Sequence, residues 1–126
     1  MWLRRGLALA LGIALASCSD SVGVESDILA AEVVGDNLEL RNVGEAPVFY
    51  FALDRETLAV ADWAICTDPD DCQSVPARST KLISLEQVHP SSGDADILVY
   101  HWRLVPGDSP TGYVADSLRT LTVPLR

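Results

Sequence analysis

Long apolar runs, positive charge, helical periodicity and catalytic signatures are all scarce in this chain, and each shortage excludes something. Spanning a bilayer takes roughly 20 consecutive apolar residues. No stretch beyond the first residues approaches that length, so the body reads as a soluble domain. Nine Lys/Arg stand against eighteen Asp/Glu, a net charge of −9. Such a surface repels nucleic acid and anionic headgroups, so a polyanion-binding role is not expected. Gly-x-Ser-x-Gly, His-Glu-x-x-His and phosphate-cradling glycine loops are missing. His89 and His101 are the two histidines. A Ser/His/Asp set can always be assembled on paper from so many serines and aspartates, but without a nucleophile motif it has no weight. No enzyme activity and no cofactor are expected.

What the chain does carry begins at its start. Arg4 and Arg5 form a positive region, and Gly6 to Ala16 an apolar one that is too short for an anchor helix and fits a signal peptide. Leu15-Ala16-Ser17-Cys18 closes it in the order of the bacterial lipobox. Residues 1–17 are therefore expected to be a lipoprotein signal peptide. Cys18 would be acylated and become the first residue of the mature protein. Gly6 follows the arginine pair without twin-arginine context, which favours ordinary secretion. An uncleaved anchor and a plain secretory cleavage are the competing readings. One acyl chain holds a protein marginally and two or more hold it stably, so the membrane is the expected partner through the lipid on Cys18. Ser19, not aspartate, follows the cysteine; in a diderm this favours the outer membrane. Cleavage would remove Arg4 and Arg5 and take the net charge from −9 to −11.

With Cys18 assigned to lipid, Cys66 and Cys72 remain as an even pair. An exported compartment permits a disulfide, and Asp68-Pro69 supplies a turn between them. A loop this short would contribute less than ~3 kcal/mol through chain entropy. A metal or redox pair is the alternative, but the spacing is not Cys-x-x-Cys and no histidine is close in sequence. Asp68, Asp70 and Asp71 could offer oxygens to Ca²⁺. The loop lacks the glycine and distal glutamate of an EF-hand, and a solvated turn is the simpler expectation.

Residues 18–27 are small and polar and read as a lipidated tether, with the folded domain over 28–126. Apolar stretches at Ile28–Val34, Leu38–Asn42, Val48–Leu53, Trp63–Cys66, Ser79–Val88, Ile97–Val105 and Leu118–Leu125 are separated by Gly, Pro, Asn and Asp clusters. They predict about seven short strands. Leu38 and Leu40 share a face, as do Leu121, Val123 and Leu125. In the strongest strand, Leu98, Tyr100, Trp102 and Leu104 face one way, and Val99, His101 and Arg103 the other. Asp54 is placed to cap a helical turn. Regular spacing with almost no helix signal predicts an all-β antiparallel sandwich, with a closed barrel as the competing architecture.

Leu38-x-Leu-x-Asn42-x-Gly44-x-x-Pro47-Val48-x-Tyr50 resembles the first hairpin of small bacterial immunoglobulin-like domains. Trp63-Ala64-x-Cys66…Cys72 and Val99-Tyr100-x-Trp102-Arg103-Leu104 are similar to bacterial lipoproteins of the same layout. The resemblance implies an immunoglobulin-like sandwich in the cell envelope and brings no catalytic residues. Antibody-type Cys-Trp-Cys spacing is absent. Trp63, Tyr100, Trp102 and Tyr113 could floor a ligand groove, but core packing explains Tyr100 and Trp102 more simply. Tyr113, in a glycine-rich loop, is the aromatic expected to be exposed and available for binding. His101 is expected to be a cross-strand packing residue, with a proton shuttle or ligand as the alternative. Sandwiches bind through end loops or edges. The expected role is a tethered protein-interaction module with a partner in the envelope. A structural or accessory lipoprotein without a specific ligand is the alternative.

Overall fold

The computed structural model describes residues 23–125 apart from 92 and 94. The predicted signal peptide and Cys18 lie outside the described residues. Eight strands form: β1 (Val24–Glu25), β2 (Ala30–Val34), β3 (Asn37–Asn42), β4 (Val48–Asp54), β5 (Ser74–Val75), β6 (Ser79–Ser84), β7 (Ile97–Pro106) and β8 (Tyr113–Val123). Among the described residues two single-turn helices join them, α1 (Arg55–Leu58) after β4 and α2 (Leu85–Val88) after β6. The strands make two four-stranded antiparallel sheets, β1-β2-β3-β6 and β5-β4-β7-β8. They pack face to face as a sandwich, as the regular spacing of apolar stretches predicts.

Alternation sets the core. Ala31 pairs with Leu40, and Leu38 with both Val33 and Ile83, which lines these side chains along the inner face of the first sheet. Tyr50, Ala52, Ile97, Val99, Leu121 and Val123 line the inner face of the second. These residues belong to one buried cluster, with Val33 packed against it. The β2–β3 hairpin turns through Gly35 and Asp36, and Gly35 takes φ +60°. Glycine at the first central position is what a type II′ hairpin requires.

The two sheets are riveted by Asn42, which is buried at the end of β3. Its Nδ2 donates to the carbonyls of Ala46 (2.8 Å), Val75 (3.1 Å) and Pro76 (3.2 Å), and its Oδ1 accepts from Gly44 N–H (2.9 Å). A strand of one sheet is thereby fastened to the edge of the other. A buried amide with its bonds satisfied specifies geometry that apolar packing leaves loose.

Several expectations need correction. Ser79–Val88 is not one strand. β6 stops at Ser84, whose hydroxyl accepts from Glu86 N–H (3.3 Å) and caps α2, while Leu85 N–H donates to Asp36 O (2.9 Å). Val24–Glu25, inside the stretch read as tether, pairs with Ala30 and Ala31 as a strand. Trp63–Cys66 joins no sheet. Tyr113 opens β8 and is not in a loop.

Candidate functional site

Three places gather side chains with chemical potential: the outer face of the second sheet with the ribbon beyond it, the Ser26–His101 contact, and the Asp54 cluster.

On β7 the expected core face is reversed. Ile97, Val99 and His101 point into the sandwich, whereas Leu98, Tyr100 and Trp102 point outward, opposite Leu53, Phe51 and Phe49 of β4. That outer face is still not bare. The segment after α1 crosses over it and lays Trp63 on Phe51 (ring centroids 4.7 Å apart, 10° between planes) and against Tyr100 (4.9 Å). Trp102 is 1% exposed, and its Nε1 donates to Cys66 O (3.0 Å). The Cys66–Cys72 disulfide forms, as expected, and closes the loop that covers Trp102. Trp63, Tyr100 and Trp102 are thus packed together by the chain itself, as the simpler packing reading has it for Tyr100 and Trp102, on the outer face of the sheet and not between the sheets.

Past this cover, β7 and β8 continue as a two-stranded ribbon. Opposite Trp102, β8 carries an extra residue, with Ser117 at φ +56°. A bulge of this kind re-aims the strands beyond it. The ribbon then pairs Arg103–Pro106 with Asp116–Tyr113 and closes through Gly107–Gly112. At Gly107 a Cβ would stand 2.7 Å from the Val114 methyls, so only glycine fits. Thr111 Oγ1 donates to Thr67 Oγ1 (3.1 Å), tying the ribbon tip to the disulfide loop. Val105 (37% exposed) and Tyr113 (36% exposed) stand at this tip.

His101 is fully buried. Nδ1 lies 3.0 Å from Val99 O, and Nε2 2.7 Å from Ser26 Oγ. A carbonyl only accepts, so Nδ1 carries the proton and the Ser26 hydroxyl donates to Nε2. Burial lowers the imidazole below its ordinary range; Val99 O opposes this, Arg119 reinforces it, and Asp27 opposes it. The contact has the Nε2–hydroxyl geometry of a nucleophile and its base. Yet Ser26 Oγ also accepts from the N–H groups of Ile28 (3.3 Å) and Leu29 (3.2 Å), which holds it as a turn residue. With Asp27, which pairs with Arg119 (2.5 Å), it clips the end of β1 to β7 and β8. The hydrogen bond from Arg119 holds the Asp27 carboxyl below its usual range. Position 26 carried no signal beyond a polar residue in an apparent tether, so sequence reasoning missed this contact.

Asp54, His89 and Ser91 meet at the opposite end. Asp54 is buried; it caps α1 by accepting from Thr57 N–H (2.8 Å) and Thr57 Oγ1 (2.9 Å), and it accepts from Ser91 N–H (3.3 Å). Burial pushes its carboxyl up, but the bonds from Thr57 and Ser91 outweigh that and leave it below the ordinary value. His89 Nδ1 stands 3.6 Å from Asp54 Oδ2. Ser91 Oγ has no hydrogen-bond partner among the described residues. The serine hydroxyl is therefore not joined to the imidazole, and the three residues act as a cap and a loop clasp.

The acidic turn is held by its own backbone. Asp68 Oδ1 accepts from Asp70 N–H (3.0 Å), and Asp68 O accepts from the N–H groups of Asp71 and Cys72 (3.0 Å each). Among the described residues no group of three metal-ligating side chains forms. No protein family, curated protein or solved structure matches this chain.

Proposed function

We propose that this chain is a membrane-tethered extracytoplasmic lipoprotein whose immunoglobulin-like sandwich acts as a protein-interaction module through the β7–β8 ribbon. The observation that carries the reading is the ribbon tip, where exposed Tyr113 and Val105 sit on a bulged strand pair braced by Thr67 and the disulfide loop. An amphipathic aromatic with few rotatable bonds, on a strand pair tied back to the domain, is the kind of surface that binds at low entropic cost.

Strand order supports the immunoglobulin-like part. β2-β3-β6 against β5-β4-β7-β8 follows the A-B-E and C′-C-F-G arrangement of that fold. The disulfide supports an oxidising compartment, and Leu15-Ala16-Ser17-Cys18 supports the lipid anchor. Residues 1–17 would be removed, and the acylated Cys18 would hold the domain at the envelope membrane, the outer one in a diderm. β1 runs toward the ribbon, since the residue that follows it, Ser26, reaches His101. A tether joined to its start would hold the domain with the ribbon facing outward.

The test places a photo-cross-linking residue at Tyr113 in the full chain on intact cells, with Thr122 as the control position. One dominant cross-linked protein from position 113, absent from 122, is the expected result. Equal or no cross-linking from both positions overturns the module and favours an accessory envelope role. Intact-mass measurement on the same material, with and without reductant, tests the lipid on Cys18.

A further inference from the structure

We propose that the open edge of β4 at Ala52 takes up an extended segment of a partner protein, added as a short strand in line with β5 and bearing a basic residue beside Asp70 and Asp71. The argument starts from the backbone. Tyr50 N–H donates to Gln73 O on the β5 side (3.2 Å), continuing the register in which Val48 meets Val75 and Phe49 meets Ser74. Alternation turns the N–H and C=O of Ala52 to the same side. The residue due opposite Ala52 is Asp71, but there the chain has already turned, with Asp71 N–H and Cys72 N–H both bonded to Asp68 O. Among the described residues no hydrogen bond meets Ala52 on this edge.

Beside that edge lies a groove of about 370 Å³, lined by Tyr50, Ala52, Gln73, Ile83, Gln87 and Val88. Its floor is apolar, since Ile83 and Val88 are buried members of the core, while Gln73 and Gln87 are exposed at its rim. A strand is the occupant that satisfies an unpaired N–H and C=O while setting alternate side chains on an apolar floor.

The other edges are closed to such pairing. β1 and β5 are two residues long. β6 points Lys81 inward opposite the core residue Leu40, with its Nζ bonded to Ser74 O (3.3 Å) and 5.0 Å from the centre of the Tyr50 ring. β8 is broken by the bulge at Ser117. Short edges, inward lysines and bulges are the devices that block edge pairing; the β4 gap is short, a single N–H and C=O at Ala52, but it carries neither an inward lysine nor a bulge.

Charge selects among strands. A segment laid in line with β5 ends at the turn that carries exposed Asp70 and Asp71, and the whole chain is at −9. A basic flank is favoured and an acidic one repelled. The groove lies beside β4, with β7 between it and β8, so it stands independently of the ribbon.

The test uses the full mature chain, isotope-labelled, with two synthetic peptides as probes: acetyl-Lys-Val-Thr-Val-Thr-amide and its Glu counterpart. The lysine peptide is expected to slow exchange of the Ala52 amide about tenfold. The glutamate peptide should bind about threefold more weakly, and Asp70→Asn with Asp71→Asn should erase that difference. Ala52→Pro removes the edge donor and with it the amide that is read, so binding is followed in this variant by the resonances of Gln73 and Gln87, which the lysine peptide should no longer shift. Gln87→Trp, at an exposed position, narrows the groove in a chain whose folding is not in question and should weaken binding likewise. Absence of protection at Ala52, equal binding to Gln87→Trp, or an amide already protected in a self-associated dimer each overturns the proposal.

Discussion

Replacing Asn42 tests most directly how the two sheets are joined. Its Nδ2 carries two hydrogens and serves three carbonyls, those of Ala46, Val75 and Pro76. Val75 is fully buried, so its carbonyl finds no water when the amide is removed. In Asn42→Ala, the lost bonds contribute about 1 kcal/mol each, and a stranded buried acceptor adds about 1–3 kcal/mol. Counting only the two bonds that the two Nδ2 hydrogens can hold at full strength, and the stranded acceptor at its lower bound, the loss is expected to be at least ~3 kcal/mol, which for a domain of this size lowers Tm by about 12 °C or more. Urea unfolding should show the loss as a shifted midpoint with the slope unchanged.

Asn42→Asp sharpens the argument, because it keeps the acceptor for Gly44 N–H and sets a carboxylate against three carbonyl oxygens. At neutral pH it should cost more than alanine. Its carboxyl in the folded state would titrate above the ordinary value of about 3.9. The folded form then binds protons more readily than the unfolded chain, so stability lost at pH 7 returns as the pH is lowered toward 4. An alanine variant within ~1 kcal/mol of the parent, or an aspartate variant no worse than alanine and indifferent to pH, would refute the rivet.

Other measurements bear on the remaining contacts. Burial lowers the His101 pKa from 6.5, so the folded state resists a proton that the unfolded chain accepts; this contribution is complete above about pH 6.5 and is lost as the pH falls. His101→Asn should flatten that part of the stability–pH curve, and an unchanged slope would remove His101 as its cause. Opening the disulfide by Cys66→Ser with Cys72→Ser should cost about 2 kcal/mol from loop entropy and raise the solvent quenching of Trp102, with no change in the sandwich by far-ultraviolet dichroism. Asp54→Ala should cost at least ~1 kcal/mol as a lost helix cap. The parent's matching contribution, whose carboxyl is held below 3.8, persists above that pH and fades as the carboxyl protonates, whereas the variant should lack this acid limb.

Much of this architecture is written locally. Leu38 and Leu40 alternate with Glu39 and Arg41, and only one face of such a strand can be buried, so their place in the core follows from period alone. Asp54 stands before Arg55-Glu56-Thr57, and its cap needs no distant partner. Cys66 and Cys72 are brought within bonding reach by the turn at Asp68–Pro69, a matter of a few residues.

β7 shows where such reading stops. Ile97, Val99 and His101 alternate with Leu98, Tyr100 and Trp102, and both sets are apolar or aromatic. Either could face the opposite sheet, and volume favours the larger aromatic set. The choice fell the other way because Trp63 and the Cys66–Cys72 loop fold back over the outer face, burying the aromatics there. Distant partners likewise decide that Val24–Glu25 is a strand and that Ser26 meets His101 across 75 residues of chain. They also decide that Ser84 ends a strand, where Asp36 O receives Leu85 N–H. Local periodicity set which residues seek burial; which surface buries them, and which backbone groups such as those of Ala52 are left without a strand partner, depended on pairings between distant segments that no local window contains.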